Sequence, residues 1–142
     1  YINSLSLTHS ENDLFFVHAS PSEPAAYSYV LDEVAASANS NSFTEKICFI
    51  GHSHRPVIFE STDSGVKIIP EGKLNKNSRY IINVGSVGQP RDNNNKLSFG
   101  FFDTDEFNYS NIRIDYDRVS ASIKIYKEGL PVYLAQRILE GK

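Results

Sequence analysis

A chain of 142 residues that is 40% hydrophobic can bury one real core, and its 14 basic and 17 acidic side chains, net charge −3, offer neither a basic groove for nucleic acid nor an acidic tail. The single cysteine excludes an internal disulfide. No apolar run reaches membrane-spanning length and no signal-like segment opens the chain, so the expectation is a cytoplasmic protein with no membrane partner and no specific nucleic-acid binding.

In chain order, Leu14-Phe15-Phe16-Val17 predicts a strand over 13–18 that runs straight into His18-Ala19-Ser20-Pro21. His9, ahead of it, reads as a lone histidine without a role. Tyr27, Val30, Leu31 and Val34 fall at i, i+3, i+4 and i+7, which predicts a helix over 24–37 with Pro24 in its first turn. Strands follow near 47–51, 57–60, 66–69, 80–84, 98–103 and 109–116. Cys48 sits inside the first of these as a small buried hydrophobe. Gly100, between Phe99 and Phe101, suggests a bulge or a close backbone approach. In the last strand Ile112, Ile114 and Tyr116 alternate with Arg113 and Asp115. Two helices close the chain. One spans about 118–128, with Asp117 as N-cap and Gly129 as the stop. The other spans about 131–140, with Leu134, Ala135, Ile138 and Leu139 as its apolar face. Many strands and few helices fit an α/β (α+β sandwich) class, two sheets with helices outside.

The chemistry concentrates in Gly51-His52-Ser53-His54, set between the apolar runs Ile47–Ile50 and Val57–Phe59. Two imidazoles one residue apart at the mouth of a buried strand offer two lone pairs to a divalent metal, and a hydrogen-bonded loop pair is the structural alternative. His18 occupies an equivalent place. Three of the four histidines thus lie at the ends of apolar strands, where open α/β sheets put their ligands. A third segment, Asn83-Val84-Gly85-Ser86-Val87-Gly88-Gln89-Pro90-Arg91-Asp92, has glycines that permit tight turns and amides that could face an anion. The Arg91 guanidinium could take a phosphate in two bonds, or pair with Asp92 or Asp103 and pin the loop. Asn83 and Ser86 read first as loop-fixing groups, with Asn83 kept as a candidate phosphate contact. Arg55-Pro56 fixes the chain's exit.

These three segments together resemble the calcineurin-like metallophosphoesterases, with the bacterial and archaeal single-domain branch the nearest. Glu128-Gly129-Leu130-Pro131 and Leu134-Ala135-Gln136-Arg137 are similar to that branch's closing helical pair, so the resemblance runs the length of the chain. One position departs from the pattern: Ala19 stands where the family has glycine. The resemblance implies a two-sheet metallophosphoesterase-type sandwich and a phosphoester hydrolase with two divalent metal ions (Mn, Fe, Zn or similar) activating a bridging water. It assigns His18 and His52 to one metal and His54 to the other. It also shows what these residues lack. The family's Asp-x-His, Gly-Asp and Gly-Asn-His motifs do not occur, and the chain starts at Tyr1. Residues 1–142 are therefore expected to be the C-terminal portion of one such domain, inactive alone, and either completed by a missing N-terminal half or oligomeric. The expected substrate is a phosphorylated small molecule or other phosphoester. A non-catalytic binding scaffold of the same fold, as in the retromer subunit, is the alternative, and the three intact histidines argue against it. A structural zinc site needs four closed ligands, usually with cysteines, and only Cys48 is present.

Overall fold

The computed structural model describes residues 4–142. The architecture is a mixed six-stranded sheet backed on one face by a short helix and on the other by a three-stranded antiparallel sheet. The nine strands are β1 (Thr8–Glu11), β2 (Leu14–Val17), β3 (Ile47–Ile50), β4 (Val57–Thr62), β5 (Gly65–Ile69), β6 (Gly72–Lys73), β7 (Arg79–Asn83), β8 (Leu97–Asp103) and β9 (Asn108–Ile114). The helices are α1 (Glu33–Asn39), α2 (Arg118–Lys127) and α3 (Val132–Glu140). The large sheet runs β1-β2-β3-β7-β4-β5 and the small one β6-β9-β8. This is the two-sheet sandwich with flanking helices that the strand count implied.

The order of the large sheet decides where the chemistry falls. β2, β3 and β7 are parallel neighbours, with Phe15 opposite Cys48 and Phe49 opposite Ile82. Their carboxyl ends therefore open on one edge, and that edge carries His18, Gly51–His54 and Asn83–Gly85. The apolar runs are continuous because both faces are covered. Cys48, Ile50, Phe59 and Ile81 face α1 and pack with Val17, Val30, Ala36 and Phe43. Ile47, Ile58, Tyr80 and Ile82 face the small sheet and pack with Leu74 and Tyr109. Burial pushes the Cys48 thiol up to about 12, so it is an inert core group.

The helix over 24–37 does not form. A 3-10 turn at Pro24–Ala26 ends at Tyr27, whose φ is +54°, and the chain stays irregular to Asp32. Only there does α1 start, with the Asp32 carboxylate accepting the Ala35 N–H at 2.8 Å. Of the expected apolar stripe only Val30 is buried, whereas Val34 is 80% exposed. β1 was not anticipated, because Thr-His-Ser-Glu is polar. It is an edge strand closed onto β2 through Asn12 and Asp13, both at positive φ, as a two-residue hairpin requires. His9 on it approaches Glu11 at 3.6 Å, and its ring meets that of Phe16 at 6.1 Å between centroids. Gly100 marks a close approach and not a bulge. The β8–β9 register is unbroken, and a Cβ at Gly100 would lie 2.7 Å from the Tyr109 ring.

The closing helices match their sequence signals. Asp117 accepts the Ser120 N–H at 3.0 Å and caps α2, and Gly129 follows in the left-handed region at φ +69°. α2 and α3 pack chiefly on each other. Their end is stitched to the loop before β8: Asn93 N–H donates to the Gly141 carbonyl at 2.9 Å, and the Asn95 amide donates to the Leu139 carbonyl at 2.7 Å.

Candidate metal centre

The turn after β3 is unusual in its backbone. His52 and His54 both have φ near +60°, a region that non-glycine residues enter rarely and functional residues more often. The Ser53 N–H closes back on the Gly51 carbonyl at 2.7 Å, making a three-residue turn about His52. Asn83 at the end of β7 holds that turn. Its side-chain amide donates to the Gly51 carbonyl at 2.6 Å and to Ser53 Oγ at 2.8 Å, and its oxygen accepts the Gly85 N–H at 3.0 Å. Asn83 is fully buried and both its donors are spent on protein. The arrangement is that of a loop-fixing residue and leaves no donor for a phosphate.

The turn brings His52 onto His18. His18 Nε2 and His52 Nδ1 lie 3.2 Å apart. Two imidazoles sharing one ion at about 2.0–2.1 Å each would place their nitrogens roughly 2.9–3.4 Å apart, and a ring-to-ring hydrogen bond gives the same spacing. Two tyrosines back the pair. The Tyr29 ring stacks on His52 at 4.3 Å between centroids, and Tyr27 meets His18 edge-on at 6.1 Å. The Tyr27 backbone also hydrogen-bonds the His52 ring. A backbone partner of this kind helps fix a metal-binding imidazole. Burial above all, then the neighbouring His18 and Arg91, holds the His52 pKa below the ordinary imidazole range against that bond.

His54 is held differently. Its Nδ1 lies 2.7 Å from the Gln89 carbonyl, which can only accept, so the proton is on Nδ1 and the Nε2 lone pair is left for another partner. Its pKa is also lowered, by burial first and by Arg91 after it, against the raising effect of the Gln89 bond. His18, His52 and His54 line a common cavity of about 570 Å³ with Phe16, Phe49, Val84 and Ser86.

Several amides of the glycine loop are spent within the protein. Gly88 and Gln89 N–H groups go to Ser86 Oγ at 3.3 and 3.0 Å, and the Arg91 N–H goes to the His54 carbonyl at 3.2 Å. Ser86 is thus a loop-fixing residue. The Arg91 guanidinium rests on Gln89 Oε1 at 2.7 and 3.2 Å, not on Asp92 or Asp103. Asp92 pairs instead with Arg113, and Asp103 accepts the Asp105 and Glu106 N–H groups. Arg55 Nε donates to the Arg91 carbonyl at 2.9 Å and ties the exit of the histidine turn to this loop. The structure brings together the three histidines that sequence reasoning singled out and sets Arg91 on the adjoining loop. That reasoning missed Tyr27, Tyr29 and Gln89, and the only signal for the tyrosines was an apolar spacing that equally describes a helix.

Among the described residues no group of three or more His, Cys, Asp or Glu side chains is arranged to hold a metal. The pair His18–His52, with His54 nearby, is a donor set of borderline nitrogen ligands that fits a divalent ion but supplies no carboxylate.

Strand-end histidines on a two-sheet sandwich define a class, and comparison with known proteins bears it out. Residues 2–106 match the calcineurin-like phosphoesterase superfamily domain, and the chain belongs to that superfamily. It is 35% identical over its whole length to an uncharacterized protein of Methanocaldococcus jannaschii, of which it covers 59%. It superposes with a TM-score of 0.89 on a metallophosphoesterase from Sphaerobacter thermophilus, at 30% identity, covering 100% of this chain and 60% of that one. A hypothetical protein from Pyrococcus horikoshii shares the fold at a TM-score of 0.75 and 18% identity, with 53% of its length covered. The chain thus spans somewhat over half the length of each of these proteins. Among the described residues no helix is long and apolar enough to cross a membrane.

Proposed function

We propose that the chain is the histidine-bearing part of a metal-dependent phosphoester hydrolase with a dinuclear centre. The observation that carries this reading is the convergence of His18 Nε2 and His52 Nδ1, beside a His54 whose Nε2 is left available by its bond to Gln89. His18 and His52 would hold one divalent ion and His54 the other. Such ions supply Lewis acidity toward a phosphoryl oxygen and an acidified water. The chain's own groups do the rest. Asn83 and Ser53 keep the histidine turn in its strained shape. The Arg91 cation, close enough to depress both imidazoles, is the group placed to draw in and orient a phosphate.

The carboxylates that would charge-balance two ions come, in this reading, from a segment outside these 142 residues, so the chain alone is a poor catalyst. The test is metal-dependent hydrolysis of an aryl phosphate and an aryl phosphodiester, by the chain alone and with the carboxylate-bearing part supplied. Activity is expected only in the second case. Robust hydrolysis by the chain alone overturns the partial site, and a completed domain with neither metal nor activity overturns the function. Arg91→Ala should leave metal content intact and weaken inorganic phosphate binding by about tenfold or more, the scale of a charge-assisted bond.

A further inference from the structure

His54 depends on a loop that is itself held from behind. Its Nδ1–H is fixed by the Gln89 carbonyl at 2.7 Å. The adjacent carbonyl, that of Gly88, accepts the Tyr116 hydroxyl at 2.9 Å. Tyr116 lies beyond residues 2–106, the stretch matched by the superfamily domain, in the short link between β9 and α2. The loop is also held from within, by Ser86 Oγ on the Gly88 and Gln89 N–H groups and by Arg55 on the Arg91 carbonyl. Val87 is 66% exposed, and the next ties are the Arg113–Asp92 pair and the contacts from Gly141 and Leu139 to Asn93 and Asn95. The anchors from Tyr116, Arg113, Leu139 and Gly141 all belong to the segment after residue 106.

We propose that Tyr116 is a positioning residue for the His54 imidazole, acting through the Gly88–Gln89 peptide, and that the C-terminal segment therefore sets one half of the candidate metal centre. The His18–His52 pair takes its support from Tyr27, Tyr29 and Asn83, none of which touches Tyr116. A loosened Gly88 carbonyl lets Gln89 drift, the Nδ1–H bond lengthens, and His54 loses its single tautomer. The inference rests on the proposed function only for its consequence in metal binding, since the imidazole's geometry is measurable without metal.

The experiment uses metal-free protein carrying ¹⁵N-labelled histidine. In the parent chain the His54 Nδ1–H signal is expected to be sharp and slow to exchange with solvent. In Tyr116→Phe it should broaden and exchange at least several-fold faster, while His18 and His52 signals stay in place. Mn²⁺ titration of the same variant should then show weaker binding by roughly 3- to 10-fold, the lower end of what outer partners of a ligand contribute. Asn95→Ala, a surface change that releases the Leu139 contact on the same loop, is the second variant should Tyr116→Phe fold poorly, and it should move His54 in the same direction. Unchanged His54 ring signals in a folded Tyr116→Phe, or equal changes at all three histidines, would overturn the proposal. A His54 signal that moves with no change in Mn²⁺ affinity upholds the positioning role and sinks the metal assignment of His54 instead.

Discussion

His52 and His54 are one residue apart, share a φ of +60° and end the same strand, yet they are supported by opposite parts of the molecule. The His52 ring is braced by segments that precede it, His18 at the end of β2, the Tyr27 backbone and the Tyr29 ring, while Asn83 holds the turn that carries both histidines. His54 is braced by segments that follow it: Gln89, and behind it Tyr116 and the end of α3. A two-residue motif cannot position two imidazoles by itself, because each left-handed residue carries a cost on the order of 1–3 kcal/mol that its surroundings must overcome. The difference teaches that the two candidate metal positions are separable. Damage to one support should leave the other standing.

The largest effects should come from the proposed ligands. In the completed domain, His52→Ala and His54→Ala are each expected to lower metal content by about half and to cut turnover by two or more orders of magnitude. Elemental analysis of purified protein, alongside a phosphoesterase assay, reads both. If His54→Ala also strips the ion held by His18 and His52, the two positions are coupled and the comparison above breaks.

A smaller change should act on the His54 side alone. Gly85 has φ +84°, and a Cβ there would meet Ser98 Oγ at 2.3 Å and Pro56 Cγ at 2.9 Å. Gly85→Ala combines backbone strain with overpacking, so a loss of about 2–4 kcal/mol in unfolding free energy is expected. The glycine loop should shift with it. Urea unfolding gives the stability, and the His54 ring signals show whether the displacement stops short of His18 and His52.

Acid should act on both sides, for partly different reasons. Both imidazoles have pKa values below the ordinary figure of about 6.5, His52 through burial and then its His18 neighbour, His54 through burial and then Arg91. Metal competes with protons only once the folded imidazole titrates, so affinity should be flat from pH 8 to about 6.5. Below the folded pKa it should fall by about tenfold per pH unit for each histidine bound. The sign for stability runs the same way. The unfolded chain takes up protons near pH 6.5 while the folded one does not, so the metal-free protein loses stability as pH falls through that window. Calorimetric titration between pH 5 and 8 checks the first statement. An onset of weakening above pH 6.5 would contradict the depressed values, and none by pH 5 would mean that other groups bind the metal.

The positions of most strands, and of the histidines at their ends, were legible because period and residue type are local signals. Continuous runs such as Ile47–Ile50 announced burial on two faces, and histidines at their ends announced a site. What was not legible is what depends on distant partners. Tyr27 to Val34 has helical spacing, but Asp32 caps a shorter helix and the tyrosines are drawn to His52, so tertiary contact overrode local pattern. β1 was hidden because an edge strand buries little and can be polar. The glycine loop reads as an anion cradle, yet its Gly88, Gln89 and Arg91 amides are spent on Ser86 and His54. The hold of Gln89 on His54 carries no mark in the sequence, because it acts through the backbone carbonyl.

The smallest expected effect is at Tyr29, and it tests the separation from the other side. Tyr29 is half exposed, and its ring lies over His52 at 4.3 Å with an interplanar angle of 23°. A stacked aromatic pair contributes about 0.5–1.5 kcal/mol beyond the area it buries. Tyr29→Leu keeps an apolar side chain over the imidazole but removes the ring face, and the Tyr27 carbonyl and His18 remain. The ion held by His18 and His52 should therefore weaken only about 2- to 10-fold, that energy range converted to an equilibrium ratio. The His54 Nδ1–H signal should not move, because nothing joins Tyr29 to Gln89 or Tyr116. Mn²⁺ titration with ¹⁵N histidine spectra of the same variant measures both. A shift at His54 as large as that at His52 would show that the turn Gly51–His54 moves as one rigid piece, and the two-sided account of its support would then have to be given up.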